Sequence, residues 1–176
     1  MTMLDRDHSQ LAIRHSRLSP TDAALDPPHV IRVLDARDAA AIERLLGGLD
    51  FAARCARYGW IGSDAALVRP VEGIVGTRHT IGLLVAHELV GCVEIYRENP
   101  FCAEAALVVD PRWRRLGFGR ALLDAAVSWA VWNAVATIRL TFARHNWPMR
   151  RLVAGADARL DIALDEICAE IAVAEA

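Results

Sequence analysis

The residue types that could do chemistry concentrate in one run, Arg114-Arg115-Leu116-Gly117-Phe118-Gly119-Arg120. It follows the β-branched pair Val108-Val109 and Pro111, and it leads into a long apolar stretch with helical character. Glycines allow a backbone to approach a ligand closely, and the start of a helix carries orphan N–H groups and a partial positive charge. A pyrophosphate would sit well there. The dinucleotide fingerprint needs a third glycine where Leu122 stands, and a P-loop needs a closing Gly-Lys-Ser/Thr that is missing, so neither of those nucleotide patterns applies.

The elements that must position this loop can be read on either side of it. HVIRVL (29–34) alternates as a half-buried strand does, and Asp35 or Asp38 can cap a helix whose Ala41, Ile42, Leu45 and Leu46 form one apolar stripe ending at Gly47-Gly48. DFAARCARYGW (50–60) has the pattern of a second short helix, and Ser63 can cap a third that Pro70 shortens. IGLLVA (81–86) and LVGCVEIY (89–96), separated by His87 and Glu88, form an antiparallel hairpin, and CAEAALVV (102–109) is a further strand. The helix after the glycines begins near Gly119 or Arg120. Its charges are nearly confined to Arg120 and Asp124, so it is covered on most sides, with Trp129 and Trp132 packing on the sheet or meeting another subunit. TIRLTFA (137–143) is a strand, NWPMRRLVAGA (146–156) a short helix with Pro148 in its first turn, and ARLDIALDEICAEIAV (158–173) a second hairpin. Hairpins coexisting with a strand–helix–strand unit give an α+β fold.

Composition bounds the function. A chain of 176 residues, 54% hydrophobic and 24% charged, builds one core. Residues 1–27 are polar, include Pro20 and Pro27, show no sustained period and read as a mobile arm; the folded domain spans 28–176. A net charge of −2 carries no basic excess for nucleic acid. Cys55, Cys92, Cys102 and Cys168 have no metal-ligand spacing and read as buried thiols, with no metal expected. The first twenty residues lack an apolar core of export-signal length, and the apolar run 121–138 contains Asp124, Ser128 and Asn133, so a buried helix and a cytoplasmic protein are expected, with no membrane partner.

Three spaced motifs resemble the GNAT superfamily of acyl-CoA-dependent N-acyltransferases. Arg114, Gly117 and Gly119 fill its Arg/Gln-x-x-Gly-x-Gly/Ala signature. Val109-Asp110-Pro111 match the Val-x-Pro that ends its fourth strand, and Asn146, Met149 and Leu152 match its Asn-x-x-Met with a following leucine. The resemblance implies a central, mostly antiparallel twisted sheet of six to seven strands flanked by helices and splayed between the fourth and fifth strands. It implies acetyl-CoA as cosubstrate: Leu107, Val108 and Val109 would offer main-chain groups to the pantetheine arm, Arg114, Arg115, Leu116, Gly117, Phe118, Gly119 and Arg120 would hold the pyrophosphate mainly through amides, and Asn146 would face the cofactor. Each has a plainer reading taken singly: solvated arginines, a glycine turn, and Asn146 as a helix cap.

The implied reaction is direct attack of an amine on the thioester, with the fourth strand bulging so that the N–H of Leu107 or Val108 stabilises the oxyanion. Glu104, on the same strand and the same face as Val108, and Glu94 on the preceding strand are the candidate bases. The family often has a tyrosine acid where Val153 stands, and Tyr58 and Tyr96 are both off that motif. The expected function is therefore N-acetyltransfer to a small-molecule or protein amine, with a homodimer possible. The alternative is a non-catalytic acyl-CoA-binding or regulatory domain.

Overall fold

The computed structural model describes residues 28–49 and 78–173. The arm 1–27, Cys55, Tyr58 and the two helices expected between 50 and 77 lie outside the described residues. In chain order the elements are β1 (His29–Val33), α1 (Ala39–Gly47), β2 (Arg78–Val85), β3 (Glu88–Asn99), β4 (Cys102–Val109), α2 (Phe118–Trp132), β5 (Thr137–Ala143), α3 (Trp147–Ala154), β6 (Arg159–Ile162) and β7 (Glu166–Ala172). The strands form one seven-stranded sheet in the order β1-β2-β3-β4-β5-β7-β6. All neighbours are antiparallel except β4 and β5, which run parallel. The mostly antiparallel sheet expected from the sequence is the one observed.

Local chemistry explains the connections. Between β1 and α1, the Asp35 carboxylate accepts from the Arg37 N–H at 2.8 Å while the Asp38 carboxylate accepts from the Asp35 N–H at 3.0 Å, a reciprocal capping box that starts the helical turn. Asp38 also takes two hydrogen bonds from the Arg32 guanidinium, at 2.7 and 2.8 Å, which fixes α1 to β1. The β2–β3 turn is Ala86-His87, both in the left-handed region (φ 47° and 68°), with Val85 paired to Glu88. The sequence puts this turn one residue too late, at His87-Glu88. A type I′ two-residue hairpin has positive φ at both central positions, and here neither is glycine, so the usual signal is missing.

Helices cover the sheet on both faces. One face packs under α2, whose Phe118, Leu122, Leu123, Ala126 and Ala130 are fully buried against Val90, Val93, Ile95, Ala103, Ile138 and Leu140. Burial of each large side chain contributes roughly 1.5–3 kcal/mol. On the other face Ile42, Leu45 and Leu46 of α1 join Leu34, Leu89, Cys92 and Val108. Gly82 lies beneath them: a Cβ there would come within 2.6 Å of Leu34 Cδ2 and 2.8 Å of Leu89 Cδ1, so both leucine side chains would have to shift to admit one. The two tryptophans of α2 divide, Trp129 being buried and Trp132 79% exposed. Cys92 and Cys102 are buried, whereas Cys168 is only half-buried. Among the described residues no helix is long and apolar enough to cross a membrane.

Candidate functional site

The sheet opens at its centre. Cys102–Glu104 of β4 pair with Thr137–Arg139 of β5, and there the pairing stops, although β4 continues to Val109 and β5 to Ala143. The β3–β4 register is unbroken from Arg97/Ala103 to Gly91/Val109. Strand four therefore carries no bulge in this stretch, contrary to the expectation from the resemblance. It is divergence from β5 that exposes its main chain. The bulge in this region sits on β3, where Leu83 pairs with Gly91 and Leu84 with Leu89, leaving Val90 extra.

Hydrogen-bond parity decides which peptide groups face the opening. Asp110 N–H donates to Val90 O at 2.9 Å, which makes those residues a hydrogen-bonded rung in register with the β3–β4 ladder. Alternation then turns the N–H and C=O of Ala106 and Val108 toward β3, and those of Ala105, Leu107 and Val109 toward β5. Phe101 O accepting from Thr137 N–H at 3.0 Å follows the same parity. Beyond Ala105 no residue of β5 meets these groups. Of the two expected oxyanion donors, Leu107 faces the gap; Val108 is committed to β3. Unpaired peptide groups along a strand edge call for an extended ligand lying beside them.

At the head of the gap sits the glycine loop. Arg115 and Gly117 both adopt left-handed φ, 68° and 80°, with one residue between them. Such alternation turns successive N–H groups toward a common centre and makes an anion nest. Among the described residues, none of the N–H groups of Arg115, Leu116, Gly117, Phe118 or Gly119 donates to a backbone carbonyl, whereas that of Arg120 donates to Gly117 O at 2.9 Å. Phe118 anchors the loop from below, 99% buried, with the rings of His29 and Trp113 centred 5.4 and 6.3 Å away. The loop geometry fits a diphosphate carried by its amides, the Arg120 amide excepted.

The arginine side chains have separate tasks. Arg112 is taken up by Asp110 at 2.7 Å and Glu88 at 2.9 Å, and the Asp110 carboxyl is held below its ordinary range chiefly by that hydrogen bond. Arg114 Nε donates to Val109 O at 3.3 Å, closing the upper end of the β4 edge. Arg120 bonds Asp124 at 2.9 Å and donates to Gly155 O, tying the first turn of α2 to the end of α3. Asn146 is the N-cap of α3: its Oδ1 accepts from Met149 N–H at 3.2 Å. The cap reading is thus realised. Its Nδ2 makes no hydrogen bond among the described residues and is left to donate elsewhere.

Glu104 stands at the fork, opposite Tyr96 on β3 and in register with Arg139 on β5, at the last rung before the strands part. Glu94 lies opposite Ala106 on one side and Thr80 on the other. Alternation puts both glutamates on the face that carries Cys92 and Val108, and both are half-buried. Arg139 makes its ion pairs with Glu98 at 2.9 Å and Glu170 at 3.2 Å. Tyr96, 45% exposed beside Glu104, is the neighbour that motif reasoning passes over; counting rungs back from the β3–β4 turn would find it. Val153 is fully buried, so no acid comes from that position of α3. Among the described residues no group of ligating side chains could hold a metal ion.

A mixed seven-stranded sheet, parted between a parallel pair of central strands above an anion nest, defines an acyltransferase-type fold. The Acetyltransferase (GNAT) family matches residues 52–154. The chain belongs to the GNAT acetyltransferase family. Its fold is similar to that of the GNAT domain of S. lividans PAT (TM-score 0.71, 15% identity, covering 81% of this chain and 89% of that one). It is also similar to spermidine N-acetyltransferase from Vibrio cholerae in complex with CoA and spermine (TM-score 0.68, 18% identity, 82% and 95% covered). A third is the ribosomal-protein-S18-alanine N-acetyltransferase from Escherichia coli (TM-score 0.66, 17% identity, 85% and 96% covered). No curated protein sequence matches the chain.

Proposed function

We propose that this protein is an N-acetyltransferase that moves an acetyl group from acetyl-CoA to an amine by direct attack on the thioester. The observation that carries the reading is the peptide group of Leu107, left without a β5 partner and continuous with the nest at Arg115 and Gly117. The diphosphate rests on the amides from Arg115 to Gly119. The pantetheine arm runs along the β4 edge as an added strand. Leu107 N–H donates to the carbonyl oxygen as negative charge grows there, a preorganised contact worth about 3–4 kcal/mol in the transition state.

Glu104 takes the proton from the attacking nitrogen, through a water when the acceptor sits off the fork; Glu94, further along the same face, is the second candidate. Sulfur leaves as a thiolate and needs little help from an acid, since a thiol of pKa about 8.5 departs readily near neutrality. The neighbouring folds belong to enzymes named for a ribosomal-protein alanine and for spermidine, so the acceptor is a small-molecule or protein amine. The reaction takes place in the cytoplasm, where the cysteines stay reduced.

One observation favours a second reading. With Val153 buried at the place of the family's tyrosine, a domain that binds acyl-CoA without turning it over accounts for the same gap and nest. Thiol release from acetyl-CoA over a panel of polyamines, amino acids and peptide N-termini separates the two. Amine-dependent release supports transfer, and tight acetyl-CoA binding with no release for any acceptor favours the binding domain.

A further inference from the structure

The outer edge of the sheet is β6, which among the described residues pairs on one side only, with β7. Ala163 N–H donates to Glu166 O at 3.0 Å, in register with the ladder that pairs Ile162 with Ile167 and Arg159 with Glu170. Alternation then aims the peptide groups of Arg159 and Asp161 at β7 and those of Leu160 and Ile162 outward. The side chains alternate too. Leu160 and Ile162 lie opposite Ala169 and Ile167 of the α2-covered core, yet they are 40% and 51% exposed. Arg159 and Asp161 occupy the other face.

We infer that this edge pairs antiparallel with the same edge of a second copy of the chain, across a two-fold axis at Leu160. In that register the outward N–H and C=O of Leu160 meet those of its own counterpart, and Ala158 meets Ile162 of the second copy. Arg159 then falls opposite Asp161 of the second copy, in a non-hydrogen-bonded rung where cross-strand side chains come closest. The charges select this register. Moving the axis by one residue sets Arg159 against Arg159 or Asp161 against Asp161, and a shift that mixes inward and outward peptide groups makes no ladder. Exposed charges on a short edge strand normally discourage indiscriminate pairing. Here they discourage every neighbour except one presenting the reversed order, which a two-fold copy does. Leu160 and Ile162 gain cover on the opposite face.

Sedimentation equilibrium of the full chain over about 1–500 µM, spanning the affinities of small interfaces, tests the proposal. The wild type is expected to dimerise reversibly. R159D alone and D161R alone each put like charges on both symmetric rungs and should weaken association by about tenfold or more. The double variant R159D/D161R restores opposite charges and should recover it. A wild type that stays monomeric overturns the proposal, as do single variants that dimerise normally, which would place the contact elsewhere, for instance over Trp132. A double variant no better than the singles overturns it too. Amide exchange on the wild type guards against misfolded variants: the Leu160 and Ile162 amides gain protection with rising concentration if the edge pairs, and equal exchange at both extremes contradicts it.

Discussion

Glu104 and Arg139 form the last rung shared by β4 and β5, and past Ala105 the β4 edge has no β5 partner. The candidate base thus stands at the apex of the gap. Arg139 spends its guanidinium on Glu98 and Glu170, so the Glu104 carboxylate has no ion pair from that side among the described residues. Glu104→Gln is expected to lower kcat by about 10²–10⁴, the usual range for a positioned base, with little change in acetyl-CoA affinity. Glu94→Gln should change kcat by less than about tenfold, because Glu94 lies further from the apex. Steady-state kinetics with saturating acetyl-CoA checks both; the reverse order would move the base to β3.

Asn146 carries two roles that substitution can separate. Asn146→Ala removes the N-cap of α3 and should cost about 1 kcal/mol of stability. Asn146→Asp keeps an oxygen to accept the Met149 N–H but replaces the Nδ2 donor with negative charge. It should unfold at the wild-type temperature yet bind coenzyme A more weakly. Equal binding by wild type and Asn146→Asp in calorimetry would reduce Asn146 to a cap.

Gly117 holds φ at 80° in the middle of the nest. Any L side chain there is strained by roughly 1–2 kcal/mol. Gly117→Ala should lower affinity for coenzyme A by about tenfold while leaving the far β6–β7 hairpin unaltered, and Gly117→Asp should abolish binding by adding a like charge beside the diphosphate. Titration calorimetry reads both effects.

Acid sensitivity should reside at the other end of the molecule. The hydrogen bonds from Arg32 hold the Asp38 carboxyl well below its usual value, at about 2. Because the folded pKa is depressed, the stabilisation is complete above the unfolded carboxylate range near pH 4 and is lost as pH falls through about 2. Arg32 is 43% exposed, so screening reduces the contribution to on the order of 1 kcal/mol. Asp38→Asn should lower stability at neutral pH and flatten the stability profile between pH 4 and 2. Chemical denaturation across that range measures it.

What was legible in the sequence was whatever depends on neighbours along the chain. Alternation gave the β4, β5 and β6–β7 segments, and the glycine loop announced itself because its glycines and arginines act within seven residues. The β2–β3 turn was misplaced by one residue because Ala86 and His87 adopt positive φ without a glycine to signal it. Relationships between distant strands were hidden. Nothing local says that β7 inserts between β5 and β6 or that β4 parts from β5 after Glu104. The choice between Leu107 and Val108 turns on which way each peptide points, and that is set by the Val90/Asp110 rung.

That choice is also the most direct test of the catalytic account. Backbone amide NMR of the isotopically labelled chain, titrated with acetyl-CoA, reads it residue by residue. The amides of Leu107 and of Leu116 to Gly119 should shift strongly and saturate together, while the Val108 amide, bonded to β3, changes little. Saturation that moves Val108 and leaves Leu107 in place, or no shift in either stretch at millimolar acetyl-CoA, would contradict the assignment of the open β4 edge as the acyl site.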